Sequence, residues 1–255
     1  MSATSAFISM NAKTPGLRRL GWAGAASLLG ALAAQTTPAT HESPAAAAAG
    51  SLRGDGPIAA IHAHLCGFHF YSGDPHRQVR VEHYCSHINA DVFQCVVYDS
   101  PEKNARLIGV EYIISETLFN QLPAEEKKLW HSHRYEVMSG LLTAPDVSSA
   151  AERELMKQLV NTYGKTWTLW QVDRGDTLPL GLPKLMMSFT ADGQAEPKMV
   201  ADRDRDAKID SSVVKTKRAD IATQPVAAGA DAWQKAPAFQ ISDEALEQIP
   251  AARQR

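Results

Sequence analysis

The sequence predicts an α+β fold: a single domain with a mainly antiparallel sheet and packed helices, set between flexible N- and C-terminal tails. Three observations carry that prediction. Composition is ordinary for a globular chain, with 44% hydrophobic and 21% charged residues. β-rich and helix-periodic segments alternate in mixed order between residues 57 and 190. Composition then breaks sharply on both sides of that span. The formal net charge is -2, so the chain lacks the basic footprint of a nucleic-acid binder.

At the N-terminus, Lys13, Arg18 and Arg19 precede "LGWAGAASLLGALAA", an uncharged run over residues 20–34 that closes on small residues. That order predicts a signal peptide over residues 1–34. The run falls short of the roughly 18–20 residues that span a bilayer, so no stable transmembrane span is expected after cleavage. The paired arginines leave twin-arginine export open beside the general route. Export, to a periplasm or out of the cell, is the expectation. Residues 35–56, rich in Ala, Pro, Ser and Thr, read as a flexible linker.

The core, residues 57–190, opens with "PIAAIHAHLCGFHFY", where Ile58, Ile61, Leu65 and Phe68 have helical spacing. A helix started by Pro57 is expected, with His62, Cys66 and His69 on one face. "DVFQCVVYD" (91–99) and "RLIGVEYII" (106–114) predict an antiparallel pair of strands across the turn-like "SPEKNA". In the second, Leu107, Gly109, Glu111 and Ile113 share a face. A carboxylate in the middle of an apolar strand is costly to bury unless something positive meets it. Glu111 therefore calls for a cation or a metal.

Residues 115–122 predict a short helix capped by Ser115, and 123–130 a second one started by Pro123. "HSHRYEVMSGLL" (131–142) then reads as a strand, with His131, His133 and Tyr135 on one face and Glu136 on the other. If a helix ran on instead, His133 and Glu136 would share a face. Residues 146–163 form the clearest helix, with Ser149 and Glu152 at capping-box spacing and Gly164 at its end. "KTWTLWQVD" (165–173) predicts another strand, and "LPLGLPKLMMSF" (178–189) closes the core. Beyond it, residues 191–255 are polar and predict a largely disordered tail, with a short helix over 242–249.

Cys66, Cys85 and Cys95 are an odd count, which excludes a disulfide framework. Three buried, inert thiols are the expectation, with one bridge and one free thiol as the alternative. There is no GxSxG elbow and no GxxxxGK[ST] loop, so serine-hydrolase and nucleotide-hydrolase readings lose their usual support. A Cys/His nucleophilic pair has no geometry to support it. Trp130, Trp167 and Trp170 read as packing residues.

Of nine histidines, all but His41 lie between His62 and His133. Imidazoles with a carboxylate suit a divalent transition metal such as Zn, Fe or Mn. The candidate ligands are His83, Glu111, His131 and His133, with His62 as an additional or exchanging ligand. Tyr135 or Glu136 would move protons if the metal kept an open position. The bland reading stands beside this one, because His-x-His alone is a weak signal and histidines also satisfy buried hydrogen bonds. For His62, His64 and His69 taken singly, that structural reading is preferred. Whether the chain is an enzyme, and whether a hydrolase or an oxygenase, stays open.

The blocks "IHAHLCGFHFYSGDPHRQV", "EHYCSHINADVFQCVVYDS", "ARLIGVEYIIS", "LPAEEKKLWHSHRYE", "YGKTW", "WQVDRGDTLPLG" and "LMMSF" together resemble the oil body-associated protein family of plants, which also has bacterial and fungal members. The resemblance covers residues 57–190 in consistent order. It implies droplet association for the plant members and supplies no catalytic residue. The expected export signal argues against carrying droplet association over to this chain. The histidine-bearing blocks match at His62, His64, His83, His131 and His133, and Glu111 lies in the "GVEY" block.

The rival to a metal protein is a non-catalytic module that binds an apolar small molecule or lipid-like ligand. Glu111 separates the two. Buried against His131 and His133 it favours a metal or charged site, whereas pairing with Arg106 or Arg134 at the surface favours the binding module.

Overall fold

The computed structural model describes residues 56–235 and 239–242. The expected signal segment, almost all of the linker, and all but the first residue of the helix expected over 242–249 lie outside them. Among the described residues there are seven strands: β1 (Ala63–Tyr71), β2 (Asp74–Asn89), β3 (Val92–Tyr98), β4 (Leu107–Ser115), β5 (His131–Ser132), β6 (Thr162–Thr168) and β7 (Lys184–Met187). They lie in the order β4-β3-β2-β1-β7-β6-β5, and β6 also pairs with β4. Every pairing is antiparallel.

The β4–β6 pairing closes the sheet into a barrel and removes the long free edges that an open sheet must protect. One edge of β6 runs along β4 from Ser115↔Thr162 to Gly109↔Thr168. Its other edge is shared, with β5 at His131↔Gly164 and β7 from Thr166↔Met186 onward. Among the described residues six α-helices accompany the barrel: α1 (Glu116–Gln121), α2 (Ala124–Lys127), α3 (Arg134–Ser139), α4 (Ser149–Leu159), α5 (Pro197–Ala207) and α6 (Ser211–Lys217). This is the α+β domain with an antiparallel sheet that the sequence predicts, with closure added.

Alternation along each strand sorts the side chains. Leu65, Cys85, Phe93, Cys95 and Ile113 form one apolar cluster with Val137, Met156 and Leu159 of α3 and α4. Tyr71, Val79, Val81, Val97, Ile108 and Met186 form another. His83 lies between Val81 and Cys85 on β2, and Glu111 between Ile108 and Ile113 on β4. A buried polar layer therefore separates two apolar ones.

Several local expectations give way to the tertiary structure. Residues 63–71 are strand β1, not a helix, because nearly every residue of it is buried on one face or the other. Burial on both faces erases the period-2 signal, and the helical spacing of its apolar residues is coincidental. The longest strand, β2, lies where the sequence reading places no element. The strand expected over 131–142 shrinks to two residues, His131–Ser132, and α3 follows with His133 as its cap. The cap of α4 is Ser148, whose side chain accepts from the Ala151 amide, so the expected Ser149/Glu152 box is displaced by one residue. Cys85 and Cys95 face each other across β2 and β3 and form a disulfide, leaving Cys66 as a buried free thiol. The alternative reading of the cysteines therefore replaces three inert thiols.

The start of the expected tail is also structured. Arg203 of α5 is fully buried. It donates to the Leu141 carbonyl at 2.7 Å and the Gly140 carbonyl at 2.9 Å, with its guanidinium over the Phe68 ring. Arg218, just past α6, donates to the Val137 and Leu142 carbonyls and pairs with Glu152. Composition misleads here because these cations serve as hydrogen-bond clamps for the loop after α3 rather than as solvated charges. Replacing Arg203 by Met keeps the stem but leaves buried carbonyls unpaired. We expect it to lower unfolding free energy by about 3 kcal/mol, measured by urea denaturation, and an unchanged midpoint would show that α5 is not part of the cooperative fold.

Candidate metal centre

The polar layer is built around one carboxylate. Glu111 points into the barrel from the middle of β4 and is buried. Its Oε2 lies 2.7 Å from His83 Nε2 on β2 and 3.4 Å from His69 Nε2 on β1. Its Oε1 lies 3.1 Å from His133 Nε2 and 3.6 Å from His131 Nε2. All four imidazoles are buried. Two overlapping groups, His69/His83/Glu111 and Glu111/His131/His133, each bring three potential ligand atoms within 4.8 Å of one another.

Local structure explains how "HSH" delivers both rings. As the two residues of β5, His131 and Ser132 alternate, so His131 points inward and Ser132 outward. The chain then turns into α3, which carries His133 back toward the same centre. His133 Nδ1 lies 2.8 Å from Thr162 Oγ1, whose hydroxyl donates to the Leu159 carbonyl at 2.7 Å. The threonine oxygen therefore accepts from Nδ1–H, and the Nε2 lone pair of a neutral ring is left facing the centre. Such a bond to the remote ring nitrogen fixes the tautomer that metal ligation needs.

The neighbouring rings have no comparable support. His69 Nε2 and His83 Nε2 approach to 3.2 Å, so at most one can carry a proton in that contact. Both nitrogens of His131, and Nδ1 of His69 and of His83, are buried without a hydrogen-bond partner among the described residues. Four imidazole Nε2 atoms converging on one buried carboxylate are a donor set for a cation.

The protonation pattern agrees. Burial pulls the His131 pKa from 6.5 down to about 3 and lowers that of His69, against the pull of Glu111 in each case. Burial by itself would raise Glu111, but His83 and the adjoining His131, His133 and His69 rings hold it well below the usual carboxylate range. At neutral pH the centre holds an ionised carboxylate beside two imidazoles, His69 and His131, that resist protonation.

Glu136, in the first turn of α3, lines a void of ≈ 10 Å³ together with His69, His83, Glu111 and His133. That is room for about one water. Burial, with Glu111 and Asp231 nearby, raises its pKa well above the carboxylate range, so it is a neutral acid at the edge of the centre. The helical reading, in which His133 and Glu136 share a face, describes the arrangement, and the strand reading does not.

The structure brings His83, Glu111, His131 and His133 together and adds His69. His62 lies apart, bonded through Nε2 to His87 Nδ1 at 2.9 Å and through Nδ1 to the Ala60 carbonyl. His64 lies on the other face of β1, between Glu82 and Asp146. Tyr135 points outward and donates to Asp192 at 2.7 Å. His69 escapes the sequence reading because β1 is read as a helix; on a strand it shares a face with Leu65 and Gly67. Gly164 escapes it too.

Residues 55–222 match the family model described as "Protein of unknown function (DUF1264)". The chain is 54% identical over 147 residues to Oil body-associated protein 1A of Zea mays, across 58% of this chain and 62% of the relative. It is 50% identical over 158 residues to Oil body-associated protein 1B of Arabidopsis thaliana, across 62% of this chain and 66% of the relative. With Oil body-associated protein 2A of Zea mays it shares 48% identity over 178 residues, 69% of each chain. The chain belongs to the oil body-associated protein family. For the first two relatives the match spans just under two thirds of their own length. No solved structure matches the chain. Membership corrects the expectation of export to a periplasm or out of the cell, because the relatives are plant proteins named for oil bodies. Among the described residues no helix is long and apolar enough to cross a membrane.

In this family member, Gly164 is a steric requirement of the centre. A Cβ at that position would stand 2.2 Å from Glu111 Oε1, 2.6 Å from His131 Nε2 and 2.7 Å from His133 Nε2. Gly164→Ala should therefore displace all three donors and cost about 1–3 kcal/mol even without metal, the usual range for overpacking. Thermal unfolding of the metal-free variant checks this, and a melting temperature equal to that of the parent would show that the three donors do not crowd this backbone.

Proposed function

We propose that this protein binds one divalent transition metal inside the barrel through the Nε2 atoms of His69, His83, His131 and His133 and the carboxylate of Glu111. The convergence of these buried donors, with their unpartnered nitrogens, carries the reading. Nitrogen and oxygen donors without a thiolate suit Zn, Fe or Mn rather than a soft-metal site. Glu111 meets the condition set from the sequence, since it faces His131 and His133 rather than Arg106 or Arg134. When bound, such an ion would activate water or a small oxidant. Glu136 is the chain's own acid beside the void, able to hold or deliver a proton at its carboxyl oxygen.

The test is elemental analysis by inductively coupled plasma mass spectrometry of the full chain, expressed without a histidine tag, beside His131→Ala/His133→Ala. The expected result is about one metal per chain in the parent and none in a still-folded double variant. Protons compete with the metal for the same nitrogens. Because His131 and His69 are shifted downward from 6.5, loss of the metal on acidification should set in below the ordinary imidazole range rather than within it. A parent that takes no metal after reconstitution would sink the reading.

A second reading concerns lipid surfaces. The relatives' names associate them with oil bodies. In this chain Leu107, Leu169, Leu178 and Leu180 are exposed at 46%, 41%, 59% and 57%. They lie at the start of β4, the end of β6 and the approach to β7, which antiparallel pairing places at one end of the barrel. Grouped apolar residues that project outward fit insertion into a lipid surface better than enclosure of a lipid molecule. Leu178→Asp/Leu180→Asp should cut the fraction that floats with a phospholipid-coated triacylglycerol emulsion severalfold. Equal flotation of parent and variant would remove this end of the barrel as the contact.

A further inference from the structure

We infer that Asp231 is a positioning residue for the metal centre, acting through Ser132 to hold His131 on its ligand trajectory. The inference rests on the metal reading above. It begins from an imbalance in how the two "HSH" rings are held. His133 is tied through Nδ1 to Thr162, whereas neither nitrogen of His131 has a hydrogen-bond partner among the described residues. Backbone placement and ring contacts at 5.0 Å with His69 and 5.2 Å with His133 are what orient His131.

That backbone lies on a strand of two residues with β6 on one side only. On the other side stands Asp231. Its Oδ1 accepts from the Ser132 amide at 2.9 Å, and its Oδ2 accepts from the Ser132 hydroxyl at 2.7 Å. Its own amide donates to the Trp130 carbonyl at 3.1 Å. Both flanks of His131 are therefore gripped by one buried residue, which replaces the neighbouring strand that β5 lacks.

The grip is held at a conformational cost. Asp231 has φ 52°, and among the described residues only Lys208 is another non-glycine with positive φ. Asp tolerates this left-handed conformation better than most residues, but it persists only where the surroundings enforce it. The enforcing contacts are present. The Ala227 amide donates to Tyr163 Oη at 2.8 Å, and the Gln224 amide donates to Asn161 Oδ1 at 2.7 Å. Residues 224–231 thus run as an anchored strap from the start of β6 to the outer side of β5. The strap lies beyond residue 222, where the family match ends.

The experiment uses the full chain loaded with Co(II), whose visible absorption reports ligand geometry, and follows Co(II) release into excess chelator. Asp231→Ala should release the ion about tenfold faster or more, the scale of loss for groups that orient ligands, with an altered Co(II) spectrum in protein that circular dichroism shows to be folded. Asp231→Asn should restore a rate within about twofold of the parent, because its amide oxygen still accepts from the Ser132 amide and its NH2 can donate to the hydroxyl. Parent-like release and spectrum in Asp231→Ala would overturn the positioning role while leaving the metal centre standing. Release from Asp231→Asn as fast as from the alanine variant would overturn it as well. A parent that takes up no Co(II) would overturn the metal reading and this inference together. Should Asp231→Ala not fold, Ser132→Ala cuts only the hydroxyl half of the grip. Severalfold faster release is then expected, and an unchanged rate would overturn the role.

Discussion

The interior of this barrel is organised around the charge of Glu111. An ionised carboxylate taken out of water costs several kcal/mol unless positive charge and hydrogen bonds meet it. Four imidazoles surround it, and they can supply positive charge in two ways, by taking protons or by sharing a cation. Burial makes protonation expensive for His131 and His69. A divalent ion, as proposed above, would supply the positive charge through the Nε2 lone pairs without protonating the rings. Burial, reinforced by the nearby charge of Glu111, raises Glu136 and keeps it protonated beside the void.

Barrel closure makes that arrangement possible. The donors come from β1, β2, β4 and the junction of β5 with α3, far apart in sequence but fixed relative to one another by continuous pairing. A ladder of backbone hydrogen bonds holds its inward residues more rigidly than loops would, which suits a site that has to keep several ligand atoms in register. Closure also requires β6 to pass close beneath the centre, and the absence of a side chain at Gly164 leaves room for Glu111 and both "HSH" rings.

The segment after the sheet finishes the job from outside. Arg203 and Arg218 fasten the loop that follows α3 to the barrel wall, and the strap ending at Asp231 covers the free side of β5. Polar and charged residues do this because the groups they satisfy are backbone carbonyls and amides that no strand pairs. A cluster of apolar side chains could cover the same surface but could not satisfy those groups.

Most of the centre and much of its frame are legible in the chain before it folds. Glu111 in an apolar strand, the "HSH" pair, His83, strands over 92–98 and 107–115, and the helix capped by Ser115 follow from alternation, β-branched content and capping chemistry within a few residues of each other. Family membership was legible in the same blocks. The remainder depends on burial from both sides and on partners distant in sequence. β1 is covered on both faces, so its pattern mimics a helix and hides His69. The bridge between Cys85 and Cys95 follows from the register of β2 on β3. Whether Glu136 or Tyr135 turns toward the centre was set by a strand that ends after Ser132. The polar stretch beyond residue 190 folds because Arg203 and Arg218 meet carbonyls of α3 and of the loop after it, and no local pattern in the chain encodes where those carbonyls will be.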